Sequence, residues 1–308
     1  MKMKILSLSA LFVSLAIFFT ACKKDNSNTS GNTDYTAELS VQADDQEQFS
    51  SEMDAIADDA NTAVSAESSI SGKVQSLICD ATVTADTTGD PKTITITYDG
   101  TNCLGNRTRT GVVILSMPKS MHWKDQGAVL TITVQNLKIT RIRDNKSITI
   151  NGTKTITNVT GGLLPELASH GTITHTINSD GMSVTFGDGT QRTWKIAEQR
   201  TFTYNNGIVI TVSGTHTEGA ATGILVWGTN RMGNAFSCAI TDPLVVRQDC
   251  DFRLVSGTAV HTRGTVTATI TFGLDANGNP VSCPSGSYYF KLVWVGLNGN
   301  SHTIIFPY

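Results

Sequence analysis

A mainly β fold, made of large antiparallel sheets with one amphipathic helix in front of them, is predicted by three observations. From about Val74 onward, Thr alternates with Ile or Val in runs such as KTITITY, AVLTITV, GTITHTI and GTVTATITF. Period-two alternation of β-branched residues buries one strand face and wets the other. Gly-containing pairs recur between these runs at Asp99-Gly100, Asn151-Gly152, Asp180-Gly181, Asp188-Gly189, Asn206-Gly207 and Asn277-Gly278, and read as tight hairpin turns. Finally, only one stretch, Asp44 to about Ser69, has helical spacing. The count is fourteen to sixteen mostly antiparallel strands, arranged sandwich-like or as two similar β halves.

Taken in order along the chain, the first segment is a leader. Lys2 and Lys4 precede an apolar run from Ile5 to Phe19, which ends in Thr20-Ala21-Cys22. The run is short of the roughly 20 residues that span a bilayer. It resembles a bacterial lipoprotein signal, and the resemblance implies cleavage after residue 21 and lipidation of Cys22. Residues 22–34, rich in Asn, Ser, Thr and Gly, read as a flexible tether. Residues 35–72 hold the helix, in which Phe49, Met53, Ile56, Ala60, Ala63 and Val64 share a face. Asp45, Glu47, Glu52, Asp54, Asp58 and Asp59 crowd other positions and read as a solvated face, while the apolar face is expected to pack on the β domain. That domain is residues 73–308, with a division into two subdomains expected near 160–166, where Gly161-Gly162-Leu163-Leu164-Pro165 interrupts the alternation.

Charge excludes one partner class. The formal net charge is -3 and becomes -5 when Lys2 and Lys4 leave with the leader. There is no basic stripe to neutralise phosphates, so nucleic acid is not an expected partner.

Cys22 apart, five cysteines remain: Cys79, Cys103, Cys238, Cys250 and Cys283. An exported chain permits disulfides. An internal echo, in which a cysteine precedes two alternating strands and a second cysteine, predicts Cys79–Cys103 and Cys250–Cys283. Cys238 is then the odd thiol, and Cys238–Cys250 is the competing pair. No CxxC or Cys/His cluster supports a metal, and no cofactor is expected.

Chemistry-bearing residues are scattered. No nucleophile elbow, HExxH, P-loop or GxGxxG is present. His170, His175, His216 and His261 lie on or beside Thr-rich strands and read as hydrogen-bonded surface groups. Between Phe186 and Tyr204, Arg192, Trp194, Arg200, Phe202 and Tyr204 share parity and project from one strand face. Such a face suits a sugar or anion platform, and equally suits packing of Arg stems over aromatic rings. Asp275-Ala276-Asn277-Gly278-Asn279 begins like a calcium loop but has Pro280 at position six and Gly286 at position twelve, so a plain turn is preferred. Glu166, Asp188, Glu198, Glu218 and Asp251 are the carboxylates from which a glycosidase pair would come, and no two of them are brought together by fold class alone.

Cys22-Lys23-Lys24-Asp25, the two-cysteine β units and the repeated DG and NG pairs resemble those of uncharacterised outer-membrane lipoproteins of Bacteroidetes-type bacteria. The resemblance implies an outer-membrane lipid anchor facing either the periplasm or the exterior, and carries over no catalytic residue. The leading expectation is a non-enzymatic structural, adhesive or glycan-binding envelope protein with an exposed aromatic surface around Trp194. An exported polysaccharide hydrolase and an accessory subunit of an outer-membrane complex are the alternatives.

Overall fold

Each of the fifteen strands is hydrogen-bonded antiparallel to its neighbour, and together they make one continuous sheet. In this computed structural model the described residues are Phe49, Glu52, Met53, 55–57, Asp59, Ala60, Ala63, Val64 and 78–307, apart from 251, 265, 284–286 and 296–298. The expected leader, Cys22 and the expected tether lie outside them.

The strands are β1 (Ala81–Asp86), β2 (Lys92–Thr101), β3 (Arg107–Met117), β4 (Ala128–Arg141), β5 (Ser147–Asn158), β6 (Thr172–Phe186), β7 (Gln191–Tyr204), β8 (Ile208–Gly214), β9 (His216–Glu218), β10 (Ala221–Thr229), β11 (Ala235–Arg247), β12 (Arg253–Arg263), β13 (Val266–Leu274), β14 (Tyr289–Val295) and β15 (Ser301–Pro307). They follow one another as a meander except between β7 and β11. There β10 pairs with the first part of both strands and β8 with the last part of both, so two short strands fill one slot. The chain steps from one to the other at Gly214 and Gly223. A Cβ on Gly214 would stand 2.1 Å from the Gly223 carbonyl oxygen, so no larger residue fits this approach.

Alternation sets the two faces. Ile94, Ile96 and Tyr98 of β2, Val113 and Leu115 of β3, Leu130, Ile132 and Val134 of β4, and Met182 and Val184 of β6 are buried on one side. The intervening threonines face out and meet across strands as Thr131–Thr155, Thr133–Thr153, Thr157–Thr176, Thr174–Thr201 and Thr201–Thr211. Such pairs stabilise the register by a few tenths of a kcal/mol each.

Register shifts at Thr110/Val112, Val134/Leu137, Thr153/Thr155 and Ser179/Met182 lie on successive strands from β3 to β6. Bulges bend a strand and raise its twist, so a row of them turns the sheet towards its apolar side. This explains a correction to the turn reading. Asp188-Gly189, Asn206-Gly207 and Asn277-Gly278 lie between strands, whereas Asp99-Gly100, Asn151-Gly152 and Asp180-Gly181 lie within β2, β5 and β6. Gly152 has φ +136°, and a Cβ there would stand 2.5 Å from the Gly181 carbonyl oxygen. A bulge and a hairpin ask for the same residue types, and only the pairing partner tells them apart.

The bent sheet surrounds a helix. The described residues between 49 and 64 are helical, and Phe49, Met53, Ile56, Ala60 and Ala63 join side chains of β2 to β7, β10 and β11 in the largest hydrophobic cluster. The expected packing of the helix's apolar face is therefore observed. A smaller cluster of Leu167, Ile173, Phe202, Ile208, Ile210, Val212, Val246 and Leu254 lies at the far end of β6 to β8. At the expected division near 160–166 the chain makes a single turn, Leu164–Glu166 followed by Leu167–His170, and returns as β6 hydrogen-bonded to β5. Both C-terminal and N-terminal disulfides form as the echo predicts, Cys79–Cys103 with Cα atoms 5.2 Å apart and Cys250–Cys283 with 5.0 Å. Cys238 is the free thiol.

Candidate functional site

The helix is attached to the sheet by charge as well as by apolar contact. Glu52, 1% exposed, accepts from Arg107 of β3 at 2.6 Å. Arg109 of the same strand donates from Nε and one terminal nitrogen to the two oxygens of Asp80, both at 2.6 Å, and from the other to Asp59 at 2.7 Å. The Tyr98 hydroxyl donates to the same Asp59 oxygen at 2.8 Å, and the Arg109 guanidinium lies 4.3 Å above the Tyr98 ring. Burial outweighs the neighbouring arginines and raises the carboxyls of Glu52 and Asp59 above their ordinary values. Burial, and then the Asp59 charge, pushes the Tyr98 phenol well above its own. Two of the six acidic helix residues expected to face solvent are therefore clamps. Their arginine partners are more than 45 residues away along the chain, so helical periodicity alone carries no sign of them.

The platform proposed on β7 shares a face as expected, and that face is the inner one. Trp194 is fully buried, stacked on Phe49 of the helix with ring centroids 3.9 Å apart and planes 11° from parallel. The Arg192 guanidinium lies 3.6 Å from the Trp194 ring and 4.3 Å from that of Phe236. Arg192 is itself 1% exposed. The expected exposed aromatic surface around Trp194 is thus replaced by a packed stack, because the preceding helix covers it. Farther along β7, Arg200 bonds Glu198 two residues back on the same face, and Phe202 packs edge-on against His175 of β6. Trp123 closes that corner, 5.1 Å from the His175 ring. Only Tyr204, 54% exposed, is open to solvent.

Of the histidines read as surface groups, His175 is buried and His261 half-buried. Burial, with Arg200 adding to it, lowers His175 to about 4. His261 pairs across strands with Cys238 and is lowered to about 4 by burial, with Arg192 and Arg263 adding. Burial pushes the Cys238 thiol up to about 11, against the pull of Arg192. A neutral thiol beside a neutral imidazole lacks the thiolate that nucleophilic chemistry requires.

The carboxylates do not converge. Glu198 is held by Arg200, and its cross-strand partners are Ile177 and Gly214. Asp188 occupies the β6–β7 turn, bonded to Thr190 and to Arg231, about ten residues and roughly 30 Å along the strand from Glu198. Glu166 lies in the short turn after β5, Glu218 ends β9, and Asp251 is outside the described residues. Asp275 uses one oxygen to accept from the backbone N–H groups of Asn277 and Asn279, which is turn chemistry. Among the described residues Asp249, Cys250 and Cys283 gather within 4.8 Å, and the two sulfurs are bonded to each other. No described helix is long and apolar enough to cross a membrane.

A half-open aromatic group lies on the outer face, outside the stretch from Phe186 to Tyr204. Trp227 of β10 faces out between Lys195 of β7 and Ser237 of β11. His216 of β9 stacks on it, with centroids 3.9 Å apart and planes 7° from parallel. Both rings are half-buried and Lys195 is exposed. The pair exists because β9 doubles back onto β10, placing His216 opposite Ile224.

Comparison with protein-family models, curated proteins and solved structures finds no match.

Proposed function

We propose that this chain is a lipid-anchored protein of the bacterial outer membrane that acts by binding, through the outer face of its sheet, and not by catalysis. The anchor rests on the leader and on Cys22-Lys23-Lys24-Asp25, with the tether of residues 22–34 lifting the domain from the bilayer. The observation that carries the binding reading is the division of labour between the faces. Inside, the carboxylates, arginines and histidines described above are engaged with one another or with rings. Outside, ranks of threonine hydroxyls run across strands on either side of the Trp227–His216 stack. Hydroxyls beside an aromatic ring suit a glycan, whose ring faces are apolar and whose edges hydrogen-bond.

One observation favours the accessory-subunit reading. β15 pairs only with β14, which leaves its outer edge unpartnered among the described strands, and an open edge is a template for another chain.

Metabolic labelling with a fatty-acid analogue tests the anchor. Wild-type chain incorporates label and fractionates with membranes, whereas Cys22→Ala does neither. A glycan panel against the detergent-solubilised chain, with product analysis after long incubation, tests the rest. Saturable binding without cleavage, weakened in Trp227→Ala and retained in a folded Tyr204→Ala, is the expected result; cleavage overturns it.

A further inference from the structure

We infer that the outer-face stack is a subsite for acidic sugar residues, with Lys195 holding the carboxylate of a uronate. This rests on the glycan-binding reading above and narrows it to a substrate class.

Three features of the stack carry the inference. First, the two rings form an aromatic stack on the outer face. His216 and Trp227 lie parallel and face to face, so each covers one face of the other, and both residues are half-buried. A sugar docks the apolar face of its ring on the uncovered face of such a stack. Second, the register places one cation beside it. Lys195 stands directly across from Trp227, at the separation of about 5 Å that cross-strand neighbours have. Third, that cation is uncommitted. The arginines at 107, 109, 141, 200, 231 and 247 are ion-paired, whereas Lys195 is exposed and has no ion-pair partner among the described residues. Its ammonium is therefore available to a ligand without loss of an internal contact.

The remaining surroundings are hydroxylated, with the Asp180-Gly181 bulge of β6 across from Lys195 on its other side. Ser237 flanks the indole on its other side and continues across strands to Thr262 and Thr267, while Thr193 precedes Lys195 on the same strand face. Glu218 is the one nearby carboxylate on β9, and it stands at the hairpin tip opposite Ala221. A uronate carboxylate on Lys195 thus meets a single positive charge, with hydroxyl partners along the sheet for the next residues of a chain.

The test is titration calorimetry of the full chain in mild detergent with oligogalacturonates, and separately with uncharged maltooligosaccharides. The expected result is saturable oligogalacturonate binding that weakens as salt is raised and falls roughly tenfold in Lys195→Ala, the size expected for a lost hydrogen bond to a charged group. Trp227→Ala abolishes it, and Trp227→Phe, which preserves packing, retains part of it. Lys195 is exposed, so its alanine variant folds as wild type does. Equal binding of uncharged sugars, indifferent to Lys195→Ala, overturns the acidic-sugar inference and leaves the glycan reading standing. No saturable binding of either set overturns both.

Discussion

Replacing Phe49 by alanine tests whether the helix is an integral part of the β domain. Phe49 is 3% exposed and lies flat on Trp194 at 3.9 Å. Truncating a buried phenylalanine costs about 3–5 kcal/mol, from lost transfer energy and from the cavity left behind. About 0.5–1.5 kcal/mol of that belongs to the ring pair itself. With a urea slope near 2 kcal/mol per molar, the unfolding midpoint is expected to fall by roughly 2 M. Trp194 is the fully buried tryptophan at the contact, so its emission is expected to shift to the red in the folded variant. A cycle with Trp194→Ala isolates the contact: the double variant should be less destabilised than the sum of the singles by about 1 kcal/mol. A midpoint change below about 0.5 M, or strict additivity in the cycle, refutes the stacked arrangement.

Three further outcomes follow from the same geometry. Gly152→Ala forces a Cβ to 2.5 Å from a backbone oxygen at φ +136° and should destabilise by several kcal/mol, whereas Gly189→Ala, with nothing within 4 Å, should cost only about 1–2 kcal/mol for its left-handed φ; equal losses in urea unfolding would remove the bulge argument. Stability is expected to fall in both directions of pH: the unfolded chain takes up protons that buried His175 and His261 refuse between about 6.5 and 4, and as pH rises from ordinary carboxylate values the unfolded chain releases protons that Glu52 and Asp59 still hold. His175→Gln should flatten the acid limb of a melting-temperature profile, and an unchanged limb counts against the burial of that ring. Thiol counting of Cys22→Ala should find no rapid labelling of the native chain at neutral pH and one thiol on unfolding without reductant, since Cys238 is raised to about 11 and the other described cysteines are paired; removing Cys79–Cys103, which closes a 24-residue separation, should cost about 3–4 kcal/mol.

Much of this architecture was legible because it depends on short-range periodicity. Alternating Thr and Ile needs only the two-residue repeat of a strand to declare which face is wet, and the helix declares itself by its spacing of three and four. The repeated order of cysteine, paired strands and cysteine pointed to Cys79–Cys103 and Cys250–Cys283, while the choice of Cys250–Cys283 over Cys238–Cys250 is made by the fold. The site was much less so. Parity correctly grouped Arg192, Trp194, Arg200 and Phe202 on one face but does not say whether that face is inside or outside, and the ring that buries Trp194 comes from Phe49, about 145 positions earlier. Asn151-Gly152 and Asp180-Gly181 looked like turns because a bulge and a hairpin both require a residue that tolerates positive φ. Trp227 stood in view without distinction, since its partner His216 reaches it only through the interruption that makes β8 and β10 share a slot.

What the sequence by itself determined is the local geometry: strands with one apolar face, one helix with a matching face, and an odd cysteine left over from two pairs. These depend on neighbours within a few residues or on order along the chain. What only the tertiary structure decided is the sense of the curvature, and with it which groups are hidden. A row of bulges bends a single sheet around the helix, and that enclosure turns Glu52 and Asp59 from surface charges into clamps and Trp194 from a platform into core. Burial is a property of everything that packs against a residue, so it is set by the whole fold and is not written at any one position.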